Sequence, residues 1–504
     1  MSLAVIFARA KVGIHAPLVH VETHLSNGLP AFSIVGLPEA AVKESKDRVR
    51  SAIINSNFEF PASRITVNLA PADLPKEGGR FDLAIALGIL AASGQIPQQD
   101  ITQYEFLGEL ALTGALRKVD GVIPAAMAAS SVNRQLILPE SNQTEIALTQ
   151  ETHLIAGHLL QVCQHLCQQG PLSEAPKQAL HKEAFHGPDL SQVKGQHHAK
   201  RALEISAAGA HNLLMSGPPG TGKSLLAHCL PGILPSLNQH EALEVASLYS
   251  VSNQPTRPYF TTRPFRQPHH TSSGVALVGG GSHPKPGEIS LAHHGVLFLD
   301  EIPEFNRKVL DVMREPLETG RINISRAAQQ IEYPARFQLV AAMNPCPCGY
   351  IKQPNKRCSD CSEIKALKYQ SAVSGPLLDR IDIQIEVPAL PKGLLSSKEA
   401  DSENSLTVKS RVEQACQQQF TRQGCHNAHL TQQQLNEHCS LPESLSHILE
   451  DALEKLGLSA RAYHRIIKVA RTIADLAQSP EIEKPHLLEA LGYRQMERRL
   501  QPNG

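Results

Sequence analysis

The sequence contains no tryptophan, and aromatic residues of all kinds make up only 4% of it. It also lacks an excess of charge, because 48 lysine and arginine residues balance 48 aspartate and glutamate residues. Any polyanion would therefore have to be bound by local clusters of cations. No apolar run reaches the roughly 18–20 residues that span a bilayer, and the first residues do not resemble a secretion signal, so we expect a cytoplasmic protein without a membrane partner.

The rest of the composition indicates a folded, multidomain protein. Hydrophobic residues make up 41% of the chain, which is typical of a globular α/β protein and excludes a disordered one. A chain of 504 residues is too long for a single core, so we expect two to four domains. The ten cysteines, in a sequence that we expect inside the cell, favour metal ligands or buried thiols over disulfides.

A segment in the middle of the chain has the features of a phosphate-binding loop. The apolar run 213–215 predicts a buried strand, and apolar residues at 225–227 continue at helical spacing. The loop between them matches G-x-x-x-x-G-K-[ST] in the strand-then-helix context that this motif requires. The residues that we expect to hold the nucleotide are Gly217, Pro218, Pro219, Gly220, Thr221, Gly222, Lys223 and Ser224.

The residue types of this loop explain the expected chemistry. Glycines allow backbone N–H groups to turn towards a polyphosphate at a helix N-terminus, which already favours anions. We expect Lys223 to reach the β- and γ-phosphates of ATP and the Ser224 hydroxyl to ligate Mg²⁺. The sequence therefore predicts a nucleotide-binding protein.

Polar residues at the ends of two later strands extend the prediction to hydrolysis. The apolar run 295–299 predicts a buried strand that ends in Asp300 and Glu301. We expect Asp300 to hold Mg²⁺ through water and Glu301 to polarise the attacking water; the alternative is two surface acids at a strand end. The next predicted strand, 337–343, is followed by Asn344, which fits a sensor that orients the hydrolytic water.

The residues around these motifs resemble AAA+ ATPases, and this resemblance implies further roles. Val193 and Gln196 lie where AAA+ proteins contact adenine, although the start of a surface helix is an alternative. Arg380 lies where such proteins place an arginine that reaches the γ-phosphate of the neighbouring subunit, which implies a ring. Arg461 fits a second sensor that acts on the nucleotide of its own subunit. For both arginines the alternative is a solvated cation.

Three blocks in the same order, residues 263–271, 277–281 and 286–293, resemble the magnesium-chelatase-like branch of AAA+ ATPases. The N-terminal half, from residue 1 through residue 53, resembles the bacterial ComM/YifB family in particular. The resemblance covers essentially the whole chain. It implies a homohexameric ring that uses ATP to migrate DNA branches during homologous recombination and natural transformation. The implied partners are single-stranded and branched DNA, bound without sequence preference, and other recombination proteins.

The N-terminal region resembles a protease domain that has lost its nucleophile. Residues 74–81 are similar to the segment of Lon-type proteases that carries the catalytic serine, and Arg80 falls at the position of that serine. Because Ser/Lys acyl chemistry needs a hydroxyl nucleophile, we do not expect a protease. The predicted organisation is a Lon-protease-like, ribosomal-protein-S5-domain-2-like α+β domain over 1–170, a linker over 171–189, an α/β AAA+ P-loop core over 190–390 and a C-terminal helical lid over 391–504.

Two loops are candidates for DNA contact. Residues 320–331 have the pattern of a short hairpin, which in related helicases points into the channel of the ring. We expect Arg321, Ser325 and Arg326 to hold phosphates without reading bases, and Arg263 and Arg266 to form a second contact. The alternatives for both loops are subunit contacts or nucleotide-dependent hinges.

Four cysteines follow the sensor strand with the spacing C-x-C-x9-C-x2-C. They are Cys346, Cys348, Cys358 and Cys361, all in the loop 346–361 that leaves from Asn344. Four thiolates from two closely spaced pairs of cysteines can form a tetrahedral zinc site. The alternative is a set of reduced loop thiols.

Two functions of different classes share every predicted ATPase residue. The first is a DNA motor, and the second is a nucleotide-controlled switch that remodels a protein partner, as the motor subunit of magnesium chelatase does. They differ in whether the hairpin with Arg321 and Arg326 contacts nucleic acid. The full-length resemblance, which includes the N-terminal domain, favours the DNA motor.

Overall fold

The computed structural model describes residues 2–35, 44–74, 76, 78–177, 185–252, 254, 262–281, 284–325, 330–351, 361–390 and 403–494. The chain forms two compact units. The first contains Met1–His181, Gln239–Phe260 and Ala327–Ile331, and the second contains the rest of the chain. Within the described ranges, no helix is both long enough and apolar enough to cross a membrane.

The first unit begins with a four-stranded sheet in the order β1-β2-β4-β3. Its strands are β1 (Ser2–Arg9), β2 (Leu18–Ser26), β3 (Ala31–Val35) and β4 (Arg64–Ala70), and the helices beside it are α1 (Ser45–Asn55) and α2 (Asp82–Ala92). The helix α2 is buried along its whole length, which explains why its sequence is apolar on all sides. The apolar pattern predicts one strand over residues 4–14, but β1 ends at Arg9, because Gly13 adopts φ 58° inside a turn closed by Val12 and His15.

A second sheet of the first unit has the order β10-β9-β8-β5. The elements of this region are β5 (Tyr104–Phe106), β6 (Glu109–Leu110), β7 (Leu116–Arg117), α3 (Val122–Ser130), β8 (Gln135–Pro139), α4 (Gln143–Ile146), β9 (Leu154–Ala156), α5 (Leu159–Leu166) and β10 (Ser173–Glu174). The sequence pattern predicts one hairpin over residues 104–119 that turns at Gly114. Only β6 and β7 form that hairpin, with Gly114 at φ 92°, because β5 pairs in parallel with β8 instead.

The second unit is built on a five-stranded parallel sheet in the order β12-β15-β18-β11-β19. Its strands are β11 (Leu213–Ser216), β12 (Phe265–Arg266), β15 (Val296–Leu299), β18 (Gln338–Met343) and β19 (Ile383–Glu386), and the helices α6 (His197–Gly209) and α7 (Lys223–Ile233) flank β11 in the chain. All residues of β11, β15 and β18 are buried, as expected for central parallel strands. Because these strands are parallel, their carboxyl ends meet at one edge of the sheet.

The connections between the strands carry shorter elements. The helix α8 (Gln239–Val251) belongs to the first unit. Between β12 and β15 lie α9 (Gly274–Val278), β13 (Gly279–Gly280), β14 (Lys285–Pro286) and α10 (Glu288–Leu291). Between β15 and β18 lie α11 (Arg307–Val312), α12 (Arg314–Thr319), β16 (Arg321–Ser325) and β17 (Gln330–Pro334). The strands β16 and β17 form a two-stranded sheet, so the predicted hairpin is present.

Helices complete the second unit. They are α13 (Glu363–Gln370) and α14 (Gly375–Leu378) before β19, and α15 (Ser405–Gln423), α16 (Gln432–His438), α17 (Glu443–Leu456), α18 (Ala460–Leu476) and α19 (Lys484–Gly492) after it. Val412, Ile466 and Leu487 from the later helices share a hydrophobic core with Leu203 and Leu226 beside the sheet. A parallel α/β core with C-terminal helices agrees with the predicted fold class.

Candidate nucleotide-binding site

The loop after β11 has a backbone that only glycine allows at several positions. Gly220 and Gly222 adopt φ 76° and φ 91°, in the left-handed region that L side chains rarely occupy. A Cβ at Gly217 would lie 2.1 Å from the carbonyl oxygen of Val387, so a side chain is excluded there as well. The loop leads directly into α7 at Lys223. The glycines of the motif therefore fix the path of the loop into a helix N-terminus, where backbone N–H groups favour anions.

Lys223 lies at the centre of this loop. Its Nζ atom donates to the carbonyl oxygens of Gly217 and Pro218, at 2.6 and 2.9 Å, and to Asn344 Oδ1 at 3.2 Å. Burial lowers the pKa of the Lys223 ammonium, and the charges of Asp300 and Glu301 act in the opposite direction. The structure thus brings together the lysine after β11 and the asparagine after β18.

Ser224 and Asp300 form a second contact at the same edge of the sheet. The Ser224 hydroxyl donates to Asp300 Oδ2 at 2.8 Å, and Asp300 Oδ1 accepts from the backbone N–H of Glu301 at 3.0 Å. A hydroxyl oxygen and a carboxylate oxygen are ligands that suit Mg²⁺, which also keeps several waters and substrate phosphates in its shell. The donor set therefore fits the expected metal, with Ser224 and Asp300 as the residues that would hold it.

Glu301 has an unusual backbone and a histidine neighbour. It adopts φ 52°, and a non-glycine residue in the left-handed region carries strain of about 1–3 kcal/mol, which is common at functional sites. Its Oε2 atom lies 3.7 Å from Nδ1 of His270. Burial raises the pKa of Tyr369, and the charges of Glu304 and Glu301 add to this effect. His270 and Tyr369 were not predicted as site residues, because neither has a spacing that relates it to the P-loop.

The two residues expected to contact adenine lie in different environments. Gln196 adopts φ 55°, and its side-chain amide donates to the carbonyl oxygens of Thr221 and Pro388, at 3.3 and 2.8 Å. Gln196 therefore joins the P-loop to the segment after β19. Val193 is buried in the hydrophobic core.

The two arginines expected to sense the nucleotide lie on segments that contact each other. Arg380 forms an ion pair with Glu318 on α12, and its Nη1 atom donates to the carbonyl oxygen of Pro376 at 2.6 Å. Nη1 of Arg461 lies 3.9 Å from Oδ2 of Asp379, the residue before Arg380, and the Arg461 side chain is 74% exposed. The structure thus brings Arg461 near the segment that carries Arg380.

The backbone that carries Arg380 is held by a residue that sequence reasoning missed. Arg465 on α18 donates to Asp382 Oδ1 at 2.6 Å and to the carbonyl oxygen of Arg380 at 3.3 Å. Burial alone would raise the pKa of Asp382, but Arg465 and His211 hold that pKa well below its usual range. Asp382 also accepts from the backbone N–H of Asn212. This ion pair, in which Asp382 is buried and Arg465 partly exposed, fixes the strand end near Arg380, and no local sequence motif predicts it.

The hairpin of β16 and β17 presents a polar face. Arg321, Asn323 and Ser325 are exposed, whereas the residues between them are buried, which is the alternation expected of a strand with one face on a core. Arg321 Nη1 donates to Glu332 Oε1 at 2.8 Å, and the Asn323 amide donates to Glu315 Oε1 of α12 at 3.0 Å. Arg326, which we also expected to contact DNA, lies outside the described residues.

Arg263 and Arg266, which we expect to form a second contact with DNA, both make hydrogen bonds within the chain. Arg263 donates to the carbonyl oxygens of Pro235 and His294, at 2.7 and 2.8 Å. Arg266 forms a two-bond ion pair with Glu288, at 2.6 and 2.7 Å. Both guanidinium groups therefore stabilise the connections around β12 within the chain.

Arg80 and the loop cysteines complete the set of predicted residues. Arg80 is 6% exposed and donates to the carbonyl oxygen of Asp120 at 3.5 Å, so it serves the packing of the first unit. In the second unit, the sulfur atoms of Cys346 and Cys361 lie 3.3 and 3.4 Å from that of Cys348. Cys358 lies outside the described residues.

Comparisons with known proteins identify similarity along most of the chain. Three family models match: "Magnesium chelatase, subunit ChlI" over residues 189–395, "Subunit ChlI of Mg-chelatase" over 21–142, and "Magnesium chelatase, subunit ChlI C-terminal" over 402–494. Competence protein ComM of Haemophilus influenzae is 53% identical over 99% of both chains. The uncharacterized protein YifB of Escherichia coli is 51% identical over 99% of this chain and 98% of its own. The magnesium-chelatase 38 kDa subunit of Rhodobacter capsulatus is 27% identical over 31% of this chain and 50% of its own.

Proposed function

The chain belongs to the ComM/YifB family of magnesium-chelatase-like AAA+ proteins, and on that premise we propose that it is a hexameric, ATP-driven DNA motor. In this proposal it promotes branch migration during homologous recombination and natural transformation, in the cytoplasm. Membership of the AAA+ class implies use of ATP and Mg²⁺. The word competence in the name of the Haemophilus influenzae relative supports the part in transformation.

One observation carries the ATPase part of the proposal. Lys223 contacts Asn344, and its neighbour Ser224 contacts Asp300, at the edge where the central parallel strands end. Mg²⁺ bound at Ser224 and Asp300 would neutralise charge on the phosphates. Lys223 exchanges its two loop carbonyls for phosphate oxygens, Glu301 accepts a proton from the attacking water, and Asn344 orients that water.

Arg380 supplies the argument for a ring. Within one chain the Arg380 guanidinium binds Glu318 and the Pro376 carbonyl oxygen. Lys223 of the phosphate-binding loop binds the loop carbonyls and Asn344. Arg380 and Lys223 thus share none of these partners. In the proposed hexamer Arg380 leaves Glu318 and stabilises the charge that develops on the γ-phosphate of the neighbouring subunit. Arg461 is retained as the second sensor.

The hairpin is the proposed contact with DNA. Arg321 and Ser325 share an exposed face, and a guanidinium and a hydroxyl can hold phosphates without reading base edges. Arg263 and Arg266 are the second proposed contact; like Arg321, which pairs with Glu332, they would exchange partners within the chain for phosphates. Arg326 is included from the sequence alone.

A nucleotide-switched remodeller of a protein partner is the second candidate. It is favoured by the three magnesium-chelatase models, which match residues 21–142, 189–395 and 402–494. The N-terminal unit, in which Arg80 replaces the expected nucleophile, would then dock the client. The full-length relatives favour the DNA motor over this candidate.

The steady-state ATPase rate with and without DNA distinguishes the two. We expect single-stranded and forked DNA to raise the rate of the wild-type protein, and more strongly as rising protein concentration assembles rings. The double variant Arg321→Ala/Arg326→Ala should keep the basal rate and lose the stimulation, because each lost phosphate contact weakens binding independently of sequence.

A matched control removes two exposed cations from another surface. Lys455 and Lys484 lie exposed on or beside the C-terminal helices, so Lys455→Ala/Lys484→Ala changes the net charge equally and should keep full stimulation. Basal turnover that no DNA changes in the wild-type protein would contradict the motor and favour the remodeller.

A further inference from the structure

Three cysteine side chains meet in the loop that follows the sensor strand. Cys346 is fully buried, and Cys348 and Cys361 lie nearer the surface. All three sulfur atoms lie within 4.8 Å of one another, and two of the separations are 3.3 and 3.4 Å. Thiolates around one tetrahedral Zn²⁺ lie about 3.8 Å apart, given a Zn–S bond of about 2.3 Å. The cluster therefore already has nearly the dimensions of a zinc site.

The backbone around the cluster supports bound thiolates. The Cys346 sulfur accepts hydrogen bonds from the backbone N–H groups of Tyr350 and Ile351. Hydrogen bonds of this kind orient metal-bound ligands and are a regular part of such sites. Sulfur is also the donor that selects zinc over the hard cations, which prefer oxygen. Cys346 is thus held at a fixed position by its own loop.

The loop lies between two parts of the nucleotide site. Cys346 follows Asn344 by two residues, and the Pro345 carbonyl oxygen between them accepts from the Gln370 amide at 2.7 Å. Gly349 adopts φ 79° and packs on the P-loop, since a Cβ there would lie 2.4 Å from Cδ of Pro219. A metal ion bound by the cysteines of this loop would therefore fix both Asn344 and the P-loop residue Pro219.

We propose that Cys346, Cys348 and Cys361 bind a structural Zn²⁺ that holds the Asn344 loop against the P-loop. The metal takes no part in phosphoryl transfer; it positions Asn344, which faces Lys223. These residues supply three of the four ligands of a tetrahedral site. The C-x2-C spacing of the sequence predicts Cys358, which lies outside the described residues, as the fourth.

Metal content of the full-length protein, purified without chelator or histidine tag, is the direct test. We expect about one zinc per wild-type chain by elemental analysis, and a value near zero for Cys346→Ser/Cys361→Ser. The control is Cys425→Ser, which removes a partly buried cysteine of the C-terminal helices and should keep the zinc.

A second measurement covers the case in which the double variant does not fold. Wild-type apoprotein, loaded with Co²⁺ in place of Zn²⁺, should develop the thiolate-to-cobalt charge-transfer bands and the intense d–d bands of a tetrahedral thiolate site. Wild-type protein that contains no zinc and develops no such bands would overturn the proposal, and the cysteines would then be reduced loop thiols. Stoichiometric iron in place of zinc would overturn it equally.

The positioning role makes a separate kinetic prediction, which rests on the proposed ATPase. Loss of zinc should lower kcat for ATP about ten- to a hundredfold, as expected when a positioned group is displaced, and should change KM much less. An equal loss through KM would contradict the positioning of Asn344. Zinc binding without any ATPase activity would leave the metal site standing and refute the proposed function instead.

Discussion

Two regions of the second unit differ in the partners that their charged side chains bind. At the edge of the parallel sheet, Lys223 pairs with Asn344 and Ser224 with Asp300, so one chain contains a complete set of mutually oriented groups. In the region of α12 and the hairpin, Arg380 and Arg321 are paired with acids of the same chain, Glu318 and Glu332. In the first region, only the two loop carbonyls that bind Lys223 give way to a small ligand. In the proposed ring, the second region must exchange acidic partners of the same chain for external ones before it can act.

A single short helix links the two groups of the second region. Glu315 of α12 accepts from Asn323 of the hairpin, and Glu318 of the same helix binds Arg380. Residues three apart lie on the same face of a helix. The hairpin and Arg380 therefore contact the same face of α12, and both contacts are made by glutamate carboxylates of that helix.

The largest expected effect comes from removing the arginine that lacks its external partner. Arg380→Ala should lower kcat about a thousandfold or more, the effect expected for an arginine that stabilises the transferring phosphoryl group, while ATP binding persists. Steady-state ATPase and nucleotide-binding assays check both parts.

A mixing experiment shows whether Arg380 acts between subunits. Glu301→Gln subunits have an inert site of their own but an intact arginine, so a mixture with Arg380→Ala subunits should regain activity at shared interfaces. Mixtures no more active than the two variants alone would contradict the assignment.

The second largest effect is expected in the phosphate-binding region, whose groups all come from one chain. Lys223→Ala should lower turnover by about a hundred- to a thousandfold, as for the loss of one preorganised electrostatic contact, and should also weaken ATP binding. The control Lys455→Ala removes an exposed lysine of α17 and should keep the wild-type rate. Full ATP affinity in Lys223→Ala would show that the loop does not hold the phosphates.

The smallest effect should have the opposite sign. Glu318→Gln removes the charge that holds Arg380, and since Glu318 is 56% exposed, the pair contributes at most about 1 kcal/mol. Freeing Arg380 should therefore raise the basal ATPase rate by up to about fivefold and reduce the additional stimulation by DNA. The matched change Glu454→Gln, at an exposed acid of α17, should leave the rate unchanged. A lower rate in Glu318→Gln would mean that Glu318 positions Arg380 for catalysis rather than withholding it.

The sequence predicts the phosphate-binding edge of the parallel sheet better than the region of α12 and the hairpin. The P-loop, the strand before Asp300 and the strand before Asn344 follow from local apolar runs and adjacent polar residues, and parallel pairing then brings their ends together. The contacts of Arg380 with Glu318 and of Arg266 with Glu288 join residues with no shared periodicity. No local pattern predicts such pairs, because they depend on how separate elements pack.

The same distinction explains the errors in secondary structure. The pattern over residues 104–119 fits a hairpin locally, but β5 pairs in parallel with β8, which lies about 30 residues further along the chain. Tertiary pairing overrides local preference in short strands. By contrast, the local pattern was enough to predict the hairpin over residues 320–331, because its two strands follow each other directly in the chain.

The fate of a branched DNA in the presence of ATP shows whether this chain is a branch-migration motor. A three-strand junction with a fluorescent label on the invading strand should lose that strand when wild-type protein and ATP are present. The Glu301→Gln variant, which keeps the P-loop and the hairpin, should bind the junction and release no strand. Intact ATPase activity in the wild-type protein, with no strand release from any branched substrate, would contradict the account of this chain as a branch-migration motor.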